Sequence, residues 1–322
     1  MKVAILDDWF DTLRGLQCFE KLEGLEVTVF TDHLPDVNDL VERLEPFDIL
    51  VLFRERTAIP GALLDQLPNL KLISQRSVYP HVDVTACTRN GVLLCSNMHQ
   101  DSPNHAAAEL TWALIMASMR QIPQQMIHMK NGGWQLGVGK TLYGRLLGLY
   151  GYGRIAKSVE GYARAFGMKV IWWGSEVGRA RATADGKIVA PSRESFFNTP
   201  DIVSIHVRLT SKTRGIIGAS DLAKMRPSSV FVNTSRAALI EKGALLACLD
   251  KGRPGMAALD VFDAEPITRS DDPLLCHPNV ICTPHIGFVT EDEFELQFSD
   301  IFDQINAFKA GDPINMVNPE VA

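Results

Sequence analysis

Long apolar runs are missing from this 322-residue chain. The most apolar stretch, LTWALIMASM (110–119), is short and lies between Glu109 and Arg120. A bilayer span needs about 20 apolar residues, so this stretch reads as a buried helix and no membrane partner is expected. A secretory leader is not expected either, because Asp7 and Asp8 end the apolar run Val3–Leu6 at once. A basic excess is also absent. The formal charge is −6, which argues against a nucleic-acid partner and leaves room only for small anions held by local clusters of positive charge. The six cysteines, at 18, 87, 95, 248, 276 and 282, form no CxxC pair and no Cys/His cluster at zinc spacing. No metal is expected, and the thiols read as reduced core residues of a cytoplasmic protein. Low-complexity sequence and flexible linkers are lacking too.

What the chain has is a repeated alternation. KVAILDD (2–8), EVTVF (26–30), DILVLF (48–53), KLISQ (71–75) and VLLCS (92–96) are short runs rich in Val, Ile and Leu. Between them lie helix-like segments such as 36–44, where Leu40, Val41 and Leu44 recur at helical spacing. A second series follows: RLLGLY (145–150), KVIWWG (169–174), DIVSIHV (201–207), SVFVNTS (229–235), MAALDVF (256–262) and NVICTPH (279–285). Buried strands separated by helices predict parallel sheets covered on both faces. Two such α/β units stand in tandem. A long helix is expected behind Ser102–Pro103, and a last amphipathic helix over 290–309.

Three glycines fall inside six residues of LGLYGYGRIA (147–156), where a strand gives way to a helix. Gly151-Tyr152-Gly153-Arg154-Ile155-Ala156 matches G-x-G-x-x-G/A. In that pattern the first glycine makes the tight turn and the second admits a pyrophosphate to the backbone. The small third residue allows close helix–strand packing. Amides at the helix start then face the phosphates, where the helix dipole favours negative charge. The pattern alone is weak; its place inside a repeated βα series makes it a dinucleotide site.

Ligands of open parallel sheets bind at the carboxyl ends of strands, and the second unit carries polar residues there. Arg236 follows SVFVNTS, Asp260 lies in AALDVF, Glu265 lies in DAEP, and His285 closes NVICTPH. Singly, each has an ordinary explanation: a hydrogen-bonded structural histidine, a capping arginine, a loop acid. Together they supply a cation for a carboxylate, a titratable imidazole and an acid to orient it.

At these residues the chain resembles the D-2-hydroxyacid dehydrogenase family, through GLYGYGRIA (148–156), NTSRAALIE (233–241), ALDVFDAEP (258–266) and TPHIGF (283–288). The resemblance implies two doubly wound α/β domains, a Rossmann cofactor domain (103–287) inserted into a flavodoxin-like substrate domain (1–102 plus 288–322). It implies hydride transfer between NAD(P) and a small anionic 2-oxo or 2-hydroxy acid of the phosphoglycerate or glyoxylate/hydroxypyruvate type. Arg236 would bind the substrate carboxylate and 2-oxo oxygen, His285 would donate or accept the proton, and Glu265 would stabilise its imidazolium. Asp260 would hold the nicotinamide carboxamide. Further cofactor contacts are implied at Gly151, Tyr152, Gly153, Arg154 and Ile155 of the turn. Others are implied at Gly174, Ser175, His206, Thr234, His285 and Gly287. The same fold also serves dinucleotide-sensing binding proteins of the corepressor kind, and the motifs do not exclude that reading.

Several positions depart from the family pattern. The loop that usually offers glycine amides to the substrate carboxylate reads QRSVYP (75–80) here, so Ser77 and Val78 would give backbone contacts and Arg76 a side-chain one. Arg54 matches a position that helps bind anionic substrates, and with Arg56 and Arg76 it would form an anionic pocket. HVRLT (206–210) has Arg208 where the family usually has proline. At the end of KVIWWG, where NAD-binding units place an acid for the ribose 2′-OH, the chain has Gly174 and then Ser175. Without that acid the usual bar to a 2′-phosphate is gone, and Ser175 with Arg179 or Arg181 would hold one. The expectation leans to NADP, with Glu176 as the acid of an NAD alternative. The glycine-broken arm 121–144, which contains Trp134, suggests a homodimer.

Overall fold

The computed structural model describes residues 1–98, 105–267 and 269–322. The chain divides into two compact units: Met1–Ser102 with Thr290–Ala322, and Pro103–Val289. The helix start expected behind Ser102–Pro103 lies outside the described residues; the helix is described from His105 to Arg120.

The first unit holds five strands: β1 (Lys2–Ile5), β2 (Glu26–Val29), β3 (Ile49–Val51), β4 (Leu72–Arg76) and β5 (Leu93–Asn97). They pair in parallel in the order β2-β1-β3-β4-β5, the flavodoxin-like arrangement. One face packs against Leu40, Leu44, Leu63 and Leu64. The amphipathic helix Glu291–Lys309, capped by Thr290 and acidic in its first turn, packs against strand β4. Phe53 meets Phe294 at 5.0 Å and Phe298 at 4.9 Å between ring centroids. Burying an aromatic ring of this size contributes about 1.5–3 kcal/mol. Polar pins fix the helix in place. Ser74 Oγ donates to Ile301 O (2.9 Å), and Gln304 Nε2 donates to Ser74 Oγ and Gln75 O (both 3.0 Å).

The second unit holds β6 (Leu146–Tyr150), β7 (Lys169–Trp173), β8 (Ile202–Ile205), β9 (Val230–Asn233), β10 (Met256–Leu259) and β11 (Val280–Cys282). All pairings are parallel, in the order β11-β10-β9-β8-β6-β7. A single parallel bridge, Trp172 to Val189, extends the β7 edge by one residue. With it the order from that edge is 3-2-1-4-5-6, then β11, which is the dinucleotide-binding winding with its switch point between β6 and β8. Leu147, Leu149, Ala156, Val159 and Trp172 fill one side of this sheet, and Phe196, Phe197, Phe231 and Leu245 the other.

The expected irregular arm begins with a helix, Ile122–Lys130, preceded by Gln121 in the left-handed region. No helix among the described residues is long and apolar enough to cross a membrane. All six cysteines are free thiols, and burial raises Cys18, Cys87, Cys95 and Cys282 to about 12. Among the described residues no cluster of His, Cys, Asp and Glu is arranged to hold a metal ion.

Candidate active site

The glycine turn lies at the switch point. Gly151 has φ +107°, and its amide donates to Trp173 O at 2.8 Å. A Cβ there would sit 2.2 Å from His206 O, so no other residue fits between β7 and β8. Gly153 is the N-cap of the helix Arg154–Ala165 and has no side chain to cap it. A Cβ on Gly153 would meet open space. Open space at Gly153, a helix start directly behind it and a φ that only glycine adopts readily make a cradle that fits a pyrophosphate. Ala156, fully buried, lets the helix lie close to the sheet. Tyr152 takes a different part. Its ring packs on Trp172 at 4.7 Å and its hydroxyl donates to Asp185 at 2.5 Å, so its side chain anchors the turn from below.

On the β7 flank, Gly174 (φ +154°) stands where an acid would be, and its bare Cα approaches Gly151. Ser175 Oγ accepts from Gly178 N (3.2 Å), capping the helix Glu176–Ala184. Arg179 stacks on Trp173 at 4.3 Å. On the β8 flank, the amide of His206 donates to Tyr150 O (2.8 Å) and its Nε2 lies 2.9 Å from Ser204 Oγ. Burial pushes this imidazole down to about 4, so it is neutral at physiological pH.

The four polar positions at the ends of β9, β10 and β11 prove to be locally built. Asn233, fully buried, donates through Nδ2 to Arg236 O (3.0 Å) and accepts from Ser235 N (3.0 Å). That folds the turn which presents Arg236. Ser235 Oγ ties the same turn to Ile205 O at 2.7 Å. Thr234 Oγ1 meets Thr111 Oγ1 at 2.7 Å. None of these supports was singled out in the sequence except Thr234; the signal for Asn233 was an amide closing an otherwise apolar run.

Asp260 is fully buried. Its Oδ1 accepts from Thr283 Oγ1 (2.6 Å) and Ile286 N (2.9 Å), and its Oδ2 from Gly287 N (2.9 Å). Burial raises its pKa against these hydrogen bonds. Both Asp260 and Gly287, expected at the cofactor, are therefore engaged with each other, clasping the TPHIG turn. Within it His285 takes φ +53°, an uncommon conformation for a non-glycine residue. Its Nδ1 lies 2.5 Å from Glu265 Oε2, and Glu265 Oε1 accepts from Phe262 N at 2.7 Å. A carboxylate only accepts, so Nδ1 is the donor and Nε2 is left for proton transfer. Phe288 stands edge-on to the imidazole at 5.6 Å.

In the first unit the expected trio of arginines is not an open cationic pocket. Arg76 is 5 % exposed; its NH1 is 3.2 Å from Glu293 and its Nε 3.1 Å from Asp300. Its charge is turned to the C-terminal helix, because that helix packs against β4 with two acids facing the strand end. Burial raises both acids above their ordinary range, against the lowering effect of Arg76. Arg56 donates to Asp7 O (2.6 Å) and lies between the rings of Trp9 (4.0 Å) and Phe53 (4.1 Å). Its burial lowers it to about 10. Arg54 follows β3 at φ +60°, and Ser77 follows β4 at φ +80°. The Ser77 amide donates to Asn97 O (2.9 Å), while Gln75 Nε2 donates to Ser77 O (3.1 Å) and Val78 O (3.5 Å).

Comparison with known proteins follows the same lines. Residues 112–287 match the family described as D-isomer specific 2-hydroxyacid dehydrogenase, NAD binding domain. The chain is 34% identical over 284 residues to D-3-phosphoglycerate dehydrogenase of Methanocaldococcus jannaschii, covering 87% of this chain and 53% of that protein. It thus spans about half the length of that relative. Against glyoxylate reductase of Korarchaeum cryptofilum it is 31% identical over 317 residues, covering 96% of this chain and 93% of that one. The crystal structure of phosphoglycerate oxidoreductase from Vibrio cholerae O395 superimposes with a TM-score of 0.91 at 44% identity, covering 97% of this chain and 99% of that one.

Proposed function

The chain belongs to the D-isomer specific 2-hydroxyacid dehydrogenase family, and on that premise we propose that it transfers a hydride between a nicotinamide dinucleotide and a small D-2-hydroxy acid or its 2-oxo form. The observation that carries this reading is the 2.5 Å contact of His285 Nδ1 with Glu265 Oε2, at the carboxyl edge of a dinucleotide-type sheet. The nicotinamide, when bound, supplies or accepts the hydride. In reduction His285 gives the proton at Nε2 to the 2-oxo oxygen, and Glu265 holds Nδ1–H and balances the imidazolium charge. Arg236 binds the substrate carboxylate, since its planar fork matches two oxygens at once. Asp260 and Gly287 hold the His285 turn. Gly151, Gly153, Arg154 and Ile155 cradle the pyrophosphate, with Tyr152 as their anchor. His206, Thr234, Gly174 and Ser175 complete the cofactor side. In the first unit, Arg54 with Ser77 and Val78 carries the recognition of an anionic substrate.

The reading extends to NADP as the preferred cofactor, supported by the missing acid at Gly174 and by Arg179 and Arg181 nearby. It extends to a cytoplasmic enzyme, supported by six free thiols, and to a homodimer. The arm exposes Trp134 (74 %), Val138 (94 %), Met126, Ile127 and Met129; an apolar surface of that extent marks an interface. Light scattering over a wide concentration range should return twice the chain mass, and a monomer throughout removes the dimer. A panel of 2-oxo acids, phosphohydroxypyruvate, glyoxylate and hydroxypyruvate among them, assayed with NADH and NADPH tests the activity and selects the substrate. Cofactor binding without turnover on any of them would favour a dinucleotide sensor instead.

A further inference from the structure

The glycine turn has two flanks, and they differ in what they offer an anion. Gly151 closes β6, the strand between β7 and β8. The β7 flank carries Ser175, whose hydroxyl is engaged in capping, and Arg179, stacked on Trp173. The β8 flank is the loop His206–Val207–Arg208, which touches the turn directly: a Cβ on Gly151 would lie 2.2 Å from His206 O and 3.1 Å from Val207 Cγ2. Val207 and Leu209 pack against the core on one side of the sheet, so the residue between them is turned outward and exposed. Thr213 fixes the backbone there. Its hydroxyl donates to Arg208 O at 2.7 Å and accepts from Thr210 N at 2.7 Å.

Several other arginines of this unit answer an acid. Arg145, Arg164, Arg193 and Arg226 each lie within 3.1 Å of a carboxylate. Among the described residues the Arg208 guanidinium has no hydrogen-bond or ion-pair partner, although its backbone is held firmly beside a phosphate cradle. The helix Arg154–Ala165 opens directly behind the glycine turn, and the amides of such a helix start complement a pyrophosphate. In NADH a further cation next to them meets only the pyrophosphate that the turn already serves. NADPH adds a second anion, the 2′-phosphate, a dianionic monoester near pH 7.

We propose that Arg208 is a specificity-determining residue that binds the 2′-phosphate of NADP(H) from the β8 side of the glycine turn. The proposal rests on the nicotinamide-dinucleotide reading above and deepens its cofactor preference. Arginine suits the task because its fork pairs with two phosphate oxygens.

The test uses the intact protein and calorimetric titration with NADPH, NADH, 2′,5′-ADP and 5′-ADP, which needs no turnover. Arg208→Gln should weaken NADPH and 2′,5′-ADP by about ten- to a hundredfold, the value of a lost charge-assisted pair, and leave NADH and 5′-ADP within about twofold. Arg208→Lys should retain part of the preference. An equal loss for all four ligands assigns Arg208 to the pyrophosphate and overturns the proposal, as does no loss at all. A parent protein that prefers NADH fails the NADP reading separately; Arg208 then stands only if Arg208→Gln still weakens 2′,5′-ADP alone.

Discussion

Two arginines that end strands, Arg76 on β4 and Arg236 just past β9, look alike in the sequence and do opposite things. Arg76 runs into a helix that carries Glu293 and Asp300 on the side facing it, and its charge is neutralised inside the first unit. Arg236 follows an amide-stapled turn, Asn233 to Ser235, at the edge of a sheet where a ligand would lie. The Arg76 pairs show that a cation at a strand end does not by itself report a binding site. The same contrast separates the two sheet edges. In the first unit Arg56, Asp7 and Arg76 lock the fold, whereas in the second the Glu265–His285 pair is held in place by hydrogen bonds from Phe262 N and from the Asp260 clasp.

The largest effect expected from breaking this contrast falls on the second unit. His285→Ala should lower 2-oxo acid reduction by about 10² to 10⁴, the usual worth of a general acid, with dinucleotide affinity nearly unchanged by calorimetry. Turnover close to the parent's would remove His285 from the proton path. On the first unit, Arg76→Ala takes the buried cation away from two half-buried carboxylates and should cost about 3 kcal/mol in urea unfolding, while dinucleotide affinity stays as in the parent. A stability loss below about 1 kcal/mol would mean the ion pairs are solvated and the contrast is false. The smallest effect is expected from Arg236→Lys, which keeps the charge and loses the fork. It should reduce kcat/KM by about ten- to a hundredfold. If that variant reduces 2-oxo acids as well as the parent, Arg236 does not hold the carboxylate.

Much of this was legible before folding was considered. Each of the eleven apolar runs matches a strand that ends no more than one residue beyond it, and the last helix falls within one residue of its expected start. Buried parallel strands are continuous apolar runs, which no other element of that length imitates when helices alternate with them. The glycine turn was legible because its φ and its closeness to His206 exclude side chains. The Glu265–His285 pairing was read from the chemistry of the strand-end set and from the resemblance, although 20 residues separate the pair. Less could be read where side chains choose among partners. Asp260 and Gly287 are clasped to each other, Tyr152 is an anchor, and Arg76 faces acids more than 200 residues away.

The sequence by itself determined the two α/β units, the place of the dinucleotide turn and the residue types at the strand ends, because these depend on local backbone freedom and the pattern of apolar side chains. Only the tertiary structure decided which charges remain available to a ligand. That depends on which acids and carbonyls the packing of distant segments brings within about 3 Å, a distance over which a hydrogen bond is made or lost.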